Sequence, residues 1–176
     1  MTTVLVTGAT GFVGSHIVQA LANTPVTIIA ACRKPECLAS TFSVKVRQGD
    51  LRDTSYVEDL TKDVDVICHA AAWSSLYGHR REGQERFLKP TLRLLDAAQR
   101  HGVRRIVFPS THAAAEPDSG GNARHPGHAP GFWPHLGAVV AIEEQLRQRA
   151  SPAFTAVILR LGIFAGRNYS LGVLPI

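Results

Sequence analysis

Apolar and polar positions along the chain follow two alternating periods. Short apolar runs occupy residues 3–6, 26–31, 44–47, 64–69, 105–109 and 155–160, each the length of a strand. Helical spacing fills the stretches between them. Val13, Ile17, Ala20 and Leu21 mark a helix over 12–23. Leu88, Leu92, Leu95 and Ala98 mark a long one over 84–101, stopped by Gly102, and another covers 135–149. Asp53 or Thr54 caps a further helix that ends near Leu60. Strands alternating with helices predict a parallel sheet, because parallel neighbours need crossover connections. The unbroken apolar run at 26–31 fits a strand covered on both faces. The predicted class is therefore α/β, a doubly wound parallel sheet with helices on both faces. Residues 113–134, rich in glycine and proline and carrying His125 and His128, read as a long irregular loop, a kind of segment often functional or disordered.

Composition narrows the picture only slightly. With 176 residues, 45% apolar and 19% charged, the chain is long enough to bury a core and is not of the disordered class. The formal charge of +5 comes from scattered pairs such as Arg80-Arg81 and Arg104-Arg105, without a basic run or aromatic interleaving. Nucleic acid is not the expected partner; an anionic small ligand accounts for the excess equally well. Cys32, Cys37 and Cys68 form neither an even set nor a C-x-x-C pair, which points to reduced thiols in a cytoplasmic protein. No apolar run approaches membrane-spanning length, and none has the form of a signal peptide. His112, His125 and His128 lack the convergent partners that zinc requires, so no metal is expected.

The most informative segment is Gly8-Ala9-Thr10-Gly11-Phe12-Val13-Gly14, which follows the first strand and opens the first helix. In that context glycines allow a tight turn and a close approach of backbone to ligand. The free amides and dipole of the helix start favour negative charge. Gly8 makes the turn, Gly11 permits the approach and Gly14 lets the helix pack on the sheet, an arrangement suited to a dinucleotide's pyrophosphate, with Thr10, Phe12 and Val13 completing the loop.

These residues resemble the extended short-chain dehydrogenase/reductases, also called the NAD-dependent epimerase/dehydratase family, whose glycine spacing is the one seen here. Further segments are similar in order. Gly49-Asp50-Leu51-Arg52-Asp53 resembles the adenine-side segment, His69-Ala70-Ala71-Ala72 the stretch along the cofactor, and residues 91–98 and 104–111 the long helix and the strand after it. Residues 159–166 resemble the strand leading out of the core. The resemblance implies a Rossmann-like sheet over 1–166, with Asp50, Leu51, Ala70, Ala71 and Ala72 on the cofactor. It also implies a C-terminal substrate domain, of which 167–176 is at most the start, so that this domain is missing or minimal. It further implies an oxidoreductase or epimerase acting on a small molecule, and a homodimer paired through helices 84–101 and 135–149.

Two features concern selectivity and chemistry. The second strand ends Ala31-Cys32-Arg33-Lys34 with no acidic residue before Glu36. An acid there would accept from the ribose hydroxyls of NAD, whereas Arg33 suits a 2′-phosphate, so NADP is expected, with NAD the alternative. The family's chemistry uses a tyrosine and a lysine four residues apart, plus a serine or threonine. Thr111 falls at the hydroxyl position. Aligned on the glutamates of the 135–149 helix, the tyrosine position is His135 and the lysine position Val139; a one-residue shift gives Leu136 and Val140. The lysines are Lys34, Lys45, Lys62 and Lys89 and the tyrosines Tyr56, Tyr77 and Tyr169, so no Tyr-x-x-x-Lys pair exists in this sequence. Either His135 is the acid/base, since imidazole titrates near neutrality without help, or the domain binds cofactor without catalysis, as a sensor or scaffold.

Overall fold

β-Branched and aliphatic residues dominate most of the short runs, the polar edge strand at 45–48 excepted, and each run becomes a strand. β1 (Thr2–Thr7), β2 (Val26–Cys32), β3 (Lys45–Gln48), β4 (Val66–His69), β5 (Arg105–Thr111) and β6 (Thr155–Leu161) form one sheet in the order β3-β2-β1-β4-β5-β6. Every pairing is parallel. The computed structural model describes residues 1–38, 43–73, 80–115, 124–127 and 134–162. The segments 113–134 and 159–166 are thus described only in part, and 167–176 lies outside the described residues.

α1 (Phe12–Leu21) packs through Val18 on Val4, Val6, Ile28 and Ala30, on one face of β1 and β2. The opposite face carries α2 (Thr54–Leu60), α4 (Lys89–Arg100) and α5 (Pro134–Arg149) over Leu5, Ile29, Ile67, Ile106 and Phe108. α2 starts at Asp53, whose carboxylate accepts from the amides of Ser55 and Tyr56, as a cap there should.

Three boundaries differ from the sequence expectation. β4 begins at Val66, not at residue 64, because the chain is still turning at Asp65, whose carboxylate accepts from the Thr3 amide at 2.8 Å. β5 continues to Thr111, two residues past the apolar run, because it pairs with β6 along its whole length. The long helix is composite: α3 (Arg80–Gly83), a π turn at Gln84–Leu88, then α4. Pro90 supplies the cause. In a regular helix its ring would clash with the Arg86 carbonyl. The wider turn, in which the Lys89 amide reaches back to the Gln84 carbonyl, relieves that conflict.

Candidate functional site

The strand order reverses between β1 and β4, and connections leave their carboxyl ends in opposite directions, so a crevice opens there. Residues of that crevice line a cavity of about 390 Å³. Its floor begins at Gly8, the residue after β1. Gly8 has φ +66, a conformation that favours glycine, and a Cβ there would sit 2.7 Å from the backbone of Ala71. A Cβ on Gly14 would lie 2.1 Å from the Gly8 carbonyl oxygen. The loop is folded so tightly on itself and on Ala70-Ala71 that only glycines fit. α1 begins at Gly11, without a side-chain cap and without an acidic residue in its first turn. The positive end of the helix dipole thus points at the cavity without a carboxylate to offset it, a setting that favours an anion. The residues present suit a dinucleotide's pyrophosphate: a turn whose glycine positions admit no Cβ, set at the positive end of a helix dipole.

Of the residues singled out from sequence, Gly8, Thr10, Gly11, Arg33, Asp50, Leu51, Ala70, Ala71 and Ala72 all face this one cavity. Phe12 and Val13 do not. Their side chains line an apolar groove with Ile17 and Leu161 outside it, because the first turn of α1 rotates them away. Gly14 sits behind the loop, as its contact with Gly8 requires. Thr111 is the last residue of β5 and is not among the cavity's residues; its hydroxyl oxygen accepts from the Ala113 amide at 3.2 Å and caps the short turn His112–Ala114. His135 lies in the first turn of α5, and its side chain is outside the described residues. His112 opens the capped turn, while His128 is outside the described residues.

The far end of the cavity is charged. Arg33 follows β2 and is exposed, its carbonyl held by the Gln48 side chain at 3.2 Å. Arg52 forks onto Asp50, Nε to Oδ1 at 3.0 Å and Nη2 to Oδ2 at 2.7 Å. The Arg52 fork, helped by the Arg52 amide and the positive charge of Arg33, holds the Asp50 carboxyl below its ordinary range. Gly49 leaves room for the Tyr56 ring, which a Cβ would meet at 2.3 Å. The Tyr56 hydroxyl donates to the Arg47 carbonyl, and burial pushes its pKa up to about 12.

Several cavity residues were not singled out from sequence: Tyr56, Trp73, Arg86 and Thr91, and Arg52 and His69 except as members of segments that resemble the family's. A histidine closing an otherwise apolar strand was a readable signal for His69. Arg86 had none, because the π turn that places it is a response to Pro90. His69 is 1% exposed and flanked by two hydroxyls, Thr7 Oγ1 at 2.7 Å and Thr91 Oγ1 at 2.9 Å; burial lowers its pKa to about 4. It is a neutral imidazole at physiological pH.

A second buried polar group lies beneath β5 and β6. Glu143 of α5 is fully buried and accepts from Ser110 at 2.5 Å, Arg160 at 2.6 Å and Arg147 at 2.9 Å. Burial works against its charge, but the bonds from Arg160, Ser110 and Arg147 prevail and its pKa is lowered. Both arginines also donate to the His125 carbonyl, fastening the long loop to the sheet. Among the described residues no group of histidine, cysteine and carboxylate side chains is arranged to hold a metal, and no helix is long and apolar enough to cross a membrane. Cys32, Cys37 and Cys68 are free thiols.

Comparison with known proteins bears on the same crevice. A family model described as the NAD dependent epimerase/dehydratase family matches residues 4–173. Sterol demethylase protein B of Methylococcus capsulatus is 36% identical over 115 residues, 64% of this chain and 35% of that protein. A short-chain dehydrogenase/reductase superfamily protein from Agrobacterium tumefaciens, solved with bound NAD, aligns with a TM-score of 0.72 and 29% identity over 90% of this chain and 48% of that one. A UDP-glucose 4-epimerase from Bifidobacterium longum, in complex with NAD+ and UDP, aligns with a TM-score of 0.76 and 27% identity, covering 90% of this chain and 52% of that one. The chain thus spans about half the length of the solved structures it matches, and about a third of that curated relative.

Proposed function

We propose that this chain, which belongs to the NAD dependent epimerase/dehydratase family, binds NADP in preference to NAD and moves a hydride between its nicotinamide and a carbonyl or alcohol carbon of a small molecule. The observation that carries the reading is the glycine cradle, Gly8 and Gly14 packed where no Cβ fits, at the mouth of a cavity that ends on Arg33 and Asp50. Arg33 supports NADP: it stands at the end of β2 with no carboxylate before Glu36, and a guanidinium there pairs with a 2′-phosphate through charge-assisted bonds. Asp50, kept ionised by Arg52, stands on the cavity wall as the acceptor for the adenine amino group.

For the chemical step, Thr111 uses its oxygen to cap a turn and keeps its hydroxyl proton for a substrate oxygen. His135, in the first turn of α5, exchanges that oxygen's proton. When bound, the nicotinamide would supply the hydride for a carbonyl or take it from an alcohol; the rest is positioning by the chain. Two copies pair through α4 and α5, which already lie side by side with Arg149 on Asp96 at 2.6 Å. The reading assigns the protein to the cytoplasm, without nucleic acid or membrane as partner.

Titration of NADPH and NADH into the protein and into Arg33→Ala tests the cofactor. Arg33→Ala should weaken NADPH about tenfold, the range of one charge-assisted contact, and leave NADH unchanged. Wild-type protein that binds NADH as tightly as NADPH removes the NADP assignment. Turnover is tested by NADPH consumption with a panel of aldehydes and ketones, against His135→Phe. A second reading, a cofactor-binding sensor without turnover, is favoured by the lack of a Tyr-x-x-x-Lys pair in the sequence. Binding with no consumption of NADPH by any member of the panel would select it.

A further inference from the structure

Thr7 and His69 are register partners, the last pair of β1 and β4 before the two strands part. Beyond them the chain becomes the two walls of the cavity: Gly8 on one side, Ala70 to Ala72 on the other. These walls touch so closely that one methyl group would not fit between them. Thr7, His69 and Thr91 are each 1% exposed or less, so their polar atoms must satisfy one another.

We propose that His69 is a positioning residue for the dinucleotide: a directed hydrogen-bond chain from the Ala71 amide through Thr7 and His69 to Thr91 sets the gap between the glycine turn and the opposite wall. Direction follows from where the two hydroxyl protons can go. The Ala71 amide donates to Thr7 Oγ1 at 3.3 Å. That hydroxyl has one proton, and its remaining partner at 2.7 Å is His69 Nδ1, so Nδ1 accepts. The neutral ring then carries its proton on Nε2 and gives it to Thr91 Oγ1 at 2.9 Å. Thr91 belongs to α4, next to Pro90, so the chain ties together β1, β4 and the helix that presents Arg86 to the cavity. The reverse direction would leave the Thr7 hydroxyl proton without an acceptor within the strand, whereas Thr91, inside α4, can turn its own proton onto a carbonyl of the preceding turn. His69 acts through the placement of Gly8 and Ala71, not by touching the cofactor.

The inference rests on the crevice being a dinucleotide site but is indifferent to NADP over NAD. Nitrogen-15 NMR of the ligand-free chain reads the tautomer directly, and calorimetry with NADH and NADPH reads the consequence. The expected spectrum shows Nε2–H with an unprotonated Nδ1. Thr7→Val should weaken both cofactors about tenfold and expose the Ala71 amide to exchange, the outcome of removing a buried acceptor. Thr7→Ser, which keeps the hydroxyl, should bind within about twofold of wild type by the same reasoning. Ile106→Val, a cut into the core away from the cavity, should lower the melting temperature without changing affinity. His69→Phe should match Thr7→Val; if it does not fold, Thr91→Val, which frees only the outer bond, carries the test with a smaller loss. A ring protonated at Nδ1, or Thr7→Val binding as wild type does, overturns the role of His69 while the dinucleotide reading stands. Failure of the wild type to bind either cofactor, with the tautomer as expected, sinks the dinucleotide reading and this role together.

Discussion

The two halves of the sheet bury polar groups in opposite ways. On the β1–β4 side the buried polar residues are neutral, Thr7, His69 and Thr91, and they complete each other without an ion. Of the charges of that half, Arg33, Arg52 and Asp50 stand on the cavity wall. On the β5–β6 side a fully buried carboxylate, Glu143, is closed off by Arg160, Arg147 and Ser110, and none of these residues lines the cavity. The difference separates cohesion from recognition. Where the protein satisfies its own charges, the group fastens α5, β6 and the long loop. Where the glycine turn and Arg33 face the cavity, the structure behind them is held by uncharged bonds, whose field does not compete with a ligand's phosphates.

The largest effect expected from breaking this contrast comes from Glu143→Leu. It leaves the 2%-exposed Arg160 side chain as a buried charge without its carboxylate. A loss of about 3–5 kcal/mol in denaturant unfolding should follow, partly recovered in Glu143→Leu/Arg160→Met, where the more exposed Arg147 is the charge that remains of the cluster. A single variant as stable as wild type would mean the ionic half is not held as described.

Acid should distinguish the halves next. His69 has a folded pKa of about 4 against an ordinary 6.5, so between those values the unfolded chain binds the extra proton. Stability from this group is complete above pH 6.5 and falls as pH drops toward 4, by about 3 kcal/mol in total. Glu143, whose folded pKa is lowered, contributes stability above its unfolded value and loses it only at more acidic pH. The stability–pH curve of His69→Phe should therefore be flatter than wild type between pH 6.5 and 4. Parallel curves would show that the ring is not buried neutral.

Glycine substitutions sharpen the comparison further. Gly14→Ala forces a Cβ to within 2.1 Å of the Gly8 oxygen. It should cost about 1–3 kcal/mol by overpacking and abolish detectable dinucleotide binding in calorimetry. Gly137 of α5, on the ionic side, sits inside a helix, and a Cβ there would meet no atom within 4 Å. Gly137→Ala should raise stability by about 0.5–1 kcal/mol in thermal or denaturant unfolding. An equal penalty at both glycines would erase the distinction between a cradle and an ordinary helix.

Much of this architecture was legible in the chain because local signals agreed with the global one. The apolar runs at 26–31 and 105–109 became β2 and β5, each paired on both edges, Asp53 capped α2, and the glycine turn lay where a strand meets a helix. The gathering of Arg33, Asp50 and Ala70 to Ala72 around one cavity was legible through resemblance, since those segments are far apart in sequence. What escaped was decided by tertiary contacts. Phe12 and Val13 belong to the same motif as Gly11, yet the turn of α1 points them elsewhere. Glu143 marks only a register position on its helix until β6 brings Arg160 against it. Thr111 reads as a free hydroxyl until the turn after β5 claims its oxygen.

The π turn before α4 has an effect that reaches past its own five residues. A helix advances about 100° per residue, so one extra residue within a turn spins everything upstream by that amount relative to an unbroken spiral. Arg86 and Phe87 reach the crevice, and Arg80 and Arg81 take their bearings, from an imbalance created by the ring of Pro90. Exchanging that one imino acid for alanine would let the spiral rewind, turning a basic flank of the molecule like a dial while every other residue kept its identity.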